Sequence, residues 1–244
     1  MQENKLPKHI AITMDGNGRW AKAHNLPRIE GHKAGMKAAR EITQACAEKN
    51  IEILSLFVFS SENWLRPDEE VQFLMGLLLE ILHNEIDKLH KNNVCILFIG
   101  DCTGLDKELQ QQMRKAEQLT CKNSGLKLVL AVNYGGCWDI VNATKHLAEQ
   151  VVAGQLQINE IDSKLFRSAL SLPDLPEPDL YIRSSGEQRI SNFFLWQFAY
   201  TELYFSPQYW PDFNRESLER ALDFYAQRQR RFGKITEQIE GLQV

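Results

Sequence analysis

Short apolar runs alternate with amphipathic segments along most of the chain, and this pattern predicts strands separated by helices. Six runs rich in β-branched and aromatic residues have the length of buried strands. They are His9–Met14, Ile53–Phe59, Val94–Ile99, Lys127–Val132, Leu180–Ile182 and Glu202–Phe205. Helical periodicity predicts helices at about 31–48, 69–91, 105–123, 136–152, 160–170 and 215–231. The alternation favours an α/β fold with a mainly parallel central sheet of about six strands, flanked by helices.

The segment 69–91 differs from the other predicted helices because it is apolar on more than one side. Its polar residues form only a narrow stripe, so most of its circumference is apolar. A surface helix that packs on one side needs only about a third of its circumference to be apolar. Three explanations remain open: a central core helix, a dimer contact, or a helix whose second face lines an apolar tunnel. In the third case Leu74, Leu78 and Leu82 are candidates for the tunnel wall.

Composition and charge narrow the class of protein. The 244 residues contain no repeat, low-complexity tract or Gly/Ser-rich linker, so we expect a single domain over residues 1–244. Apolar residues make up 43% and charged residues 25%, which is typical of soluble proteins. The formal net charge of −4 argues against a nucleic-acid partner, which needs a basic face.

The cysteines and the apolar runs indicate in which cellular compartment the protein resides. The five cysteines are odd in number and contain no CxxC pair, which supports neither a disulfide framework nor a zinc site. The N-terminus lacks the apolar stretch of a signal peptide. The longest apolar run, at about 73–82, is too short to span a bilayer. We therefore expect a soluble, cytoplasmic protein.

Polar and glycine residues follow most of the predicted strands. In an open parallel sheet the carboxyl ends of the strands lie along one edge, where ligands bind. The residues there are Asp15 to Arg19, Ser60 to Trp64, Gly100 and Asp101, Asn133 to Gly136, and Arg183 to Gly186. Their grouping predicts an active site at this edge.

The first of these loops, DGNGRWA, admits two interpretations. GNGRWA fits the G-x-G-x-x-[GA] pattern of dinucleotide-binding proteins. However, the ribose-binding acid should stand about 20 residues further on, at the end of the second strand, and the second strand here ends near residue 59. Asp15 also adjoins the glycine turn, and a carboxylate beside a diphosphate requires a cation such as Mg²⁺ between them. We favour a metal–diphosphate site, and the missing Walker A loop argues against a P-loop NTPase.

Arginines are placed near several strand ends. Arg19 and Arg28 follow the first strand, Arg66 the second, and Arg183 and Arg189 the fifth. Because guanidinium groups bind phosphate oxygens as a bidentate fork, such a set in an acidic protein predicts anionic substrates. In contrast, we interpret Arg228, Arg230 and Arg231 as a solvated or interface face of the last helix.

Three further residues have both a structural and a functional interpretation. His32 is either hydrogen-bonded locally near a helix start or a ligand of the substrate. Glu202 lies in an aromatic, strand-like run, where a buried acid needs a partner or a metal. Trp64 either packs in the core, which is the more common role, or stacks on an apolar substrate.

Taken together, these motifs resemble the cis-prenyltransferase family, and in particular its bacterial members that make a long polyprenyl diphosphate. The matching blocks are HIAITMDGNGRWA, LPRIEGH, FSSENWLRP, VNYGG and PDLYIRSSGEQRISNFFLWQFAYTELYF. They occur in the order found in the family and extend over a core at about 9–233. The paired DDxxD motifs of the trans-type synthases do not occur, and Pro67-Asp68-Glu69-Glu70 is interpreted only as an acidic helix start.

The resemblance implies a reaction and a cofactor. Isopentenyl diphosphate would be condensed repeatedly onto farnesyl diphosphate, with cis double bonds and Mg²⁺ as cofactor. The product would be the lipid carrier for bacterial cell-wall sugars, delivered to the membrane. The enzyme would be a homodimer, cytoplasmic or peripheral at the inner membrane face.

The resemblance also implies residue roles. Asp15 would be the metal-binding and catalytic carboxylate, Glu202 would complete the metal site, and Asn63 matches the position assigned to proton removal. Some members have a histidine where this chain has Gln188, which leaves a metal role for that position open. The substrate-binding residues would be Gly16, Asn17, Gly18, Arg19, Trp20, Arg28, His32, Ser60, Ser61, Glu62, Trp64, Arg66, Arg183, Arg189, Ile190 and Ser191. Within that set, residues 16–19, Arg28 and His32 would hold the allylic diphosphate, and Arg183, Arg189 and Ser191 the isopentenyl diphosphate.

The sequence disfavours two other functions. A nicotinamide-dependent reductase is disfavoured by the missing acid after the second strand. A non-catalytic partner subunit of the same fold is disfavoured because such partners lack parts of the catalytic set. In this chain Asp15, Asn63, Arg183, Arg189 and Glu202 are all present.

Overall fold

A computed structural model describes residues 6–228 of the chain. Its strands are β1 (His9–Thr13), β2 (Ile53–Ser60), β3 (Cys95–Ile99), β4 (Lys127–Tyr134), β5 (Leu180–Arg183) and β6 (Glu202–Phe205). Its helices are α1 (Asn17–Ala23), α2 (Arg28–Glu48), α3 (Asp68–Lys91), α4 (Lys107–Thr120), α5 (Gly136–Val152), α6 (Ser163–Ala169) and α7 (Arg215–Ala226). Short 3₁₀ turns occupy Ser61–Leu65, Ile158–Glu160 and Trp210–Asp212.

The six strands form one sheet in the order β3-β4-β2-β1-β5-β6, and every pairing between neighbours is parallel. The predicted α/β fold with a parallel sheet of about six strands is confirmed. The chain leaves β1 toward the β3 edge and leaves β5 toward the β6 edge. Because β1 and β5 are neighbours whose connections diverge, a crevice opens between their carboxyl ends, which is where open α/β sheets bind ligands.

Each face of the sheet carries its own hydrophobic cluster. On one face α2, α3, α4 and α7 pack over alternating strand residues such as Ile12 and Leu56. On the other face the cover includes a run of aromatic side chains after β5, of which Phe193 stacks on Phe57 with ring centroids 4.4 Å apart. Strands buried on both faces explain the nearly continuous apolar runs in the sequence.

The main difference from the predicted elements lies directly after β1. Residues 17–19, predicted as part of the glycine turn from Asp15 to Arg19, belong to the short helix α1, and α2 begins at Arg28 rather than near residue 31. Two glycines allow this arrangement. Gly16 has φ 99°, a conformation that other residues rarely adopt, and it precedes α1. A Cβ on Gly31 would stand 2.0 Å from the backbone oxygen of Asn17, so only glycine lets α2 approach α1 this closely.

The last predicted helix extended to residue 231, and the structure describes it up to α7's end at Ala226. Arg230 and Arg231 lie outside the described residues. Among residues 6–228 no helix is both long enough and apolar enough to cross a membrane.

Candidate active site

The turn after β1 fixes the position of Asp15. Its backbone carbonyl accepts hydrogen bonds from Ser184 Oγ at 2.7 Å and from the Trp210 N–H at 3.0 Å. Ser184 Oγ also accepts a hydrogen bond from the Asp15 N–H at 2.9 Å. Asp15 is thus held by segments that follow β5 and β6, and its carboxylate projects into the crevice between β1 and β5.

Two arginines contact the Asp15 carboxylate. Arg183 Nη2 lies 2.8 Å from Oδ2, and Arg19 Nη2 lies 3.2 Å from Oδ1. Partial burial by itself would raise the pKa of Asp15. The hydrogen bond and charge of Arg183, together with the charge of Arg19, outweigh burial and lower the pKa below its ordinary value. Asp15 is therefore an anion at neutral pH and can accept a cation.

Arg183 organises the loop that follows it. Its side chain is only 5% exposed, and its Nη1 donates to the Arg189 carbonyl at 2.7 Å and to Ser191 Oγ at 2.6 Å. Arg189 extends outward, is half exposed, and pairs with Glu187 at 2.5 Å. The other Glu187 oxygen accepts from Arg19 Nη1 at 2.8 Å. Glu187 therefore bridges an arginine after β1 and an arginine after β5, and these two partners lower its pKa.

A second cationic group gathers around Glu70, in the first turn of α3. The Oε1 atom of Glu70 lies 2.9 Å from Arg66 Nη1, 3.1 Å from Arg28 Nε and 3.5 Å from His32 Nε2. Burial lowers the pKa of His32, the nearby Glu70 carboxylate raises it, and the charges of Arg66 and Arg28 lower it further; the net shift is downward. At neutral pH His32 is thus an uncharged imidazole beside two permanent cations.

The segment after β2 presents Asn63 in a fixed orientation. Asn63 Oδ1 accepts a hydrogen bond from the Ser60 N–H at 3.1 Å, which places the amide nitrogen on the free side of the group. The neighbouring Glu62 accepts from Asn192 Nδ2 at 2.6 Å. Asn192 Oδ1 in turn accepts from the Cys137 N–H at the start of α5 at 2.8 Å. The loops after β2 and β5 and the start of α5 are joined by these contacts.

A cavity of about 1410 Å³ connects these groups to the apolar side of α3. Its polar wall contains Asp15, Gly16, Asn17, Gly18, Arg19, Arg28, His32, Ser60, Glu62, Asn63, Arg66, Arg183, Arg189 and Ser191. Its apolar wall includes Met36, Ala39, Leu56, Val58, Leu74, Met75, Leu78, Ile81, Leu82, Ile86, Leu89, Val94, Ile96 and Leu128. The residues of the second wall lie on α2, on α3 and on or beside strands of the sheet, down to Val94 just before β3. The cavity therefore extends from the carboxyl edge of the sheet toward its amino edge.

Four predicted substrate-binding residues do not line this cavity. Trp20 donates its indole N–H to Asp212 Oδ1 at 2.7 Å, which ties α1 to the turn after β6. Trp64 is 42% exposed and donates to Asn133 Oδ1 at 2.8 Å. Ser61 Oγ contacts Glu62 at 3.2 Å, and Ile190 packs against the aromatic cluster on the other sheet face. Their contacts are with other parts of the protein.

Glu202, predicted to complete a metal site with Asp15, does not lie beside Asp15 within one chain, and its metal role stays a prediction. Glu202 begins β6 and is level with Leu180, at the amino end of β5, whereas Asp15 lies beyond the carboxyl end of β1. At about 3.3 Å per residue the backbones of Glu202 and Asp15 are offset by roughly 16 Å along the strand direction. Glu202 instead accepts a hydrogen bond from Arg228 at 3.0 Å, and Gln188 is an exposed loop residue. Within one chain, neither joins Asp15.

Three residues that contact the predicted substrate-binding residues were not identified from the sequence. The sequence pattern predicts Glu70 only as part of an acidic helix start, although its spacing of four residues from Arg66 is that of a helical ion pair. Glu187 and Asn192 lie within the GEQRISN segment, and their partners come from distant strands. No local pattern identifies such partners, so only the i,i+4 spacing of Glu70 was available as a signal.

The described residues contain no cluster of three or more His, Cys, Asp or Glu side chains arranged to hold a metal. Mg²⁺ commonly keeps several waters and binds one or two carboxylates together with substrate phosphates. Asp15, ionised and facing the cavity, is the carboxylate that fits such a role.

Comparisons with known proteins agree with this geometry. Residues 13–233 match the prenyltransferase family model described for undecaprenyl diphosphate synthase. A ditrans,polycis-undecaprenyl-diphosphate synthase of Coxiella burnetii, named as specific for (2E,6E)-farnesyl diphosphate, is 53% identical over 96% of this chain and 99% of the relative. The enzyme of the same name from Legionella pneumophila (strain Paris) is 55% identical over 96% of this chain and 98% of its own.

Two solved structures share the fold. Lavandulyl diphosphate synthase from Lavandula x intermedia, in complex with dimethylallyl diphosphate, superposes with a TM-score of 0.91 at 38% identity and covers 94% of this chain and 99% of its own. A Campylobacter jejuni protein described as a probable undecaprenyl diphosphate synthase has a TM-score of 0.78 at 33% identity and covers 95% of this chain and all of its own.

Proposed function

This chain belongs to the prenyltransferase family of the undecaprenyl diphosphate synthases, and from that premise we propose how its site performs the reaction. The enzyme condenses isopentenyl diphosphate units onto farnesyl diphosphate with cis stereochemistry and makes undecaprenyl diphosphate. The observation that carries this proposal is one cavity of about 1410 Å³ with several arginines at the carboxyl edge of the sheet and a mainly apolar wall beyond them, in which Arg40, Glu85 and Lys88 also stand. Ordinary small-molecule pockets measure about 300–1,000 Å³, so this cavity suits a long apolar chain with a charged head.

The allylic diphosphate is assigned to the side of the crevice formed by α1 and α2. Arg19 and Arg28 line the cavity there, and the first-turn backbone N–H groups of α1 have no acceptor within the helix. Asn17 lines the same wall. These donors neutralise the diphosphate as it departs with the electrons of the broken carbon–oxygen bond.

Isopentenyl diphosphate is assigned to the loop after β5. Arg189 is half exposed, pairs with Glu187 and lines the cavity, and buried Arg183 holds both the Arg189 carbonyl and Ser191 Oγ in place. Asp15 lies between the two assigned sites, in contact with Arg19 and Arg183. We assign Mg²⁺ to Asp15, where the ion would supply positive charge to a departing diphosphate.

Each condensation forms a carbon–carbon bond between the allylic carbon and the terminal carbon of isopentenyl diphosphate, and then releases a proton. An amide has no suitable pKa to act as the base. Asn63 is held by the Ser60 N–H, and its role is to orient the incoming substrate so that a diphosphate oxygen or a water removes the proton. The apolar wall excludes water from the allylic cation, which water would otherwise quench.

The apolar part of the cavity serves as the tunnel for the growing chain. Each CH₂-sized group that enters it gains roughly 0.8 kcal/mol, which favours elongation until the space is filled. The lavandulyl diphosphate synthase has the same fold under a different product name. We therefore attribute product length to the residues that line the cavity.

Two finer points belong to this proposal. The enzyme acts as a homodimer, for which the edge strand β6 offers a partly exposed Leu203, at 39%, near Tyr200, at 63%. The product then passes to the cytoplasmic face of the membrane. Light scattering would measure whether the enzyme is a dimer. Sedimentation with anionic vesicles would measure whether it binds a membrane surface.

The test of the function is incubation with farnesyl diphosphate, labelled isopentenyl diphosphate and Mg²⁺, with products separated by chain length. We expect a long product that requires both substrates and is lost when the metal is chelated. Asp15→Asn, which preserves the shape of the side chain, serves as the inactive control. A short product, or condensation that survives chelation, would contradict the proposed function.

A further inference from the structure

Glu70 makes a set of contacts that the reaction as described does not use. One of its oxygens, Oε1, lies within 3.5 Å of cationic or imidazole nitrogens from Arg28, His32 and Arg66. The Glu70 side chain is only 11% exposed, whereas Arg28 is 58% exposed, so the carboxylate and not the arginine is shielded from solvent. The Glu70 carboxylate is therefore shielded from water where it contacts these three side chains.

The charge around Glu70 is only partly balanced. Arg28 and Arg66 are permanent cations, His32 is uncharged at neutral pH, and Glu70 supplies a single negative charge. The group therefore keeps excess positive charge, on arginines that are partly exposed at the cavity. An anion with more charge than one carboxylate is attracted there more strongly than Glu70 itself.

Glu70 also connects two helices that form opposite walls of the cavity. It belongs to the first turn of α3, whereas Arg28 and His32 belong to the first turns of α2. Lower down, Arg40 of α2 reaches Glu85 of α3 at 3.3 Å. Between these two ionic contacts the cavity separates the helices. A substitution at Glu70 therefore alters the ionic contact that joins the polar end of α3 to α2.

We propose that Glu70 is an internal competitor of the allylic diphosphate. This inference rests on the proposed function, in which Arg28 binds that diphosphate. When the diphosphate binds, it takes Arg28 from Glu70 and loosens the tie between α3 and α2. After each condensation Glu70 pairs with Arg28 again, and this competition speeds the release of inorganic diphosphate. Glu70 therefore sets affinity and release, and it takes no part in bond making.

The experiment measures binding of inorganic diphosphate to the full chain by calorimetry, in the presence of Mg²⁺. Glu70→Gln keeps the size and hydrogen-bonding capacity of the side chain but removes its charge. Losing a charge-assisted competitor should tighten diphosphate binding by about ten-fold. Turnover over many cycles should slow, because diphosphate leaves more slowly, while a single condensation under enzyme excess keeps its rate.

Glu69→Gln is the matched control, because Glu69 is the exposed neighbour on the same turn and carries the same charge. It should leave diphosphate affinity within about two-fold, since exposed charges are screened by solvent. Equal or weaker binding by Glu70→Gln would show that Glu70 merely orients the arginines, and would overturn the proposal. Equal tightening in both variants would also overturn it, as a general charge effect.

A second variant covers a failure of Glu70→Gln to fold. Glu70→Asp keeps the charge but is shorter by one methylene, so it withdraws from Arg28 on the other helix. We expect tightening in the same direction but smaller, and weaker binding would overturn the proposal. If the wild-type chain itself binds no diphosphate and condenses nothing, the proposed function fails, and that result is distinct from either outcome for Glu70.

Discussion

Arg183 Nη2 donates a hydrogen bond to Asp15 Oδ2 at 2.8 Å, although the two residues are 168 positions apart in the chain. The contact exists because β1 and β5 are neighbours in the sheet, with Thr13 level with Arg183. The remaining hydrogen bonds of Arg183 go to the loop that carries Arg189 and Ser191. One buried guanidinium thus joins the proposed metal ligand to the proposed isopentenyl diphosphate site.

The first prediction separates the catalytic and structural roles of Asp15. Asp15→Asn still offers an oxygen to Arg183 but lacks the charge that binds a metal, so it should fold normally and lose about 10²–10³ in turnover. Asp15→Ala leaves the buried Arg183 without this acceptor and should be less stable than Asp15→Asn by about 1–3 kcal/mol. Urea unfolding and Mg²⁺-dependent turnover measure the two effects. Asp15→Asn with most of its activity would show that the site is wrongly placed.

The second prediction tests the assignment of two diphosphate sites. Arg189→Ala removes an exposed guanidinium from the loop after β5 and should raise KM for isopentenyl diphosphate by about ten-fold or more. KM for farnesyl diphosphate should change little. Arg28→Ala should show the reverse pattern, because Arg28 lies on α2. Equal losses for both substrates in both variants would refute the assignment of two separate sites.

The third prediction concerns product length and follows from the direction of α3. The helix starts near the polar end of the cavity at Glu70 and extends about 1.5 Å per residue toward the other end, so Leu82 lies roughly 12 Å deeper than Leu74. Leu82→Phe should shorten the product while the first condensation keeps its rate. Leu82→Ala should lengthen it and cost about 2–5 kcal/mol of stability.

Asn84→Phe provides the control for that series. Asn84 lies two residues further along α3 but is exposed, so a bulky side chain there does not enter the cavity. Its product should match that of the wild-type enzyme. An unchanged length distribution in every folded Leu82 variant would assign α3 to the core and locate the tunnel wall elsewhere.

The fourth prediction concerns acid stability. His9 is buried, its Nδ1–H donates to the Pro176 carbonyl at 2.7 Å, and its Nε2 accepts from Ser55 Oγ at 2.7 Å. Burial lowers the pKa of His9 to about 4, so the folded state excludes a proton that the unfolded chain binds below its ordinary pKa of 6.5. The stability from this group is complete above pH 6.5 and is lost as pH falls toward 4. Between pH 7.5 and 5 the loss should be about 2 kcal/mol.

Urea unfolding at several pH values measures this dependence. His9→Gln should remove that part of the pH dependence, whatever its effect on absolute stability. His24→Gln changes an exposed histidine and should retain the wild-type slope. If His9→Gln keeps the same slope as the wild-type protein, another group is responsible for the acid sensitivity.

Local pattern was sufficient to determine the strands, most of the helices and the fold class, but not the short helix α1. Runs such as Ile53–Phe59 and Lys127–Val132 specify buried strands because the alternation of apolar residues is a property of neighbours along the chain. Parallel strands then place the residues that follow them at a common edge, which brought Asp15, Asn63 and Arg183 into one candidate site. The same logic identified α3 as a helix with two apolar faces, and Leu74, Leu78 and Leu82 do line the cavity.

Tertiary structure decided everything that depends on which distant segments meet. The strand order β2-β1-β5 pairs Asp15 with Arg183, and the approach of α2 to α3 turns Glu70 from a helix-start acid into the partner of Arg28 and His32. The register of β6 on β5 places Glu202 at the opposite end of the sheet from Asp15. Periodicity along the chain carries no information about these distances, because they result from the packing of whole elements and from the direction of their connections.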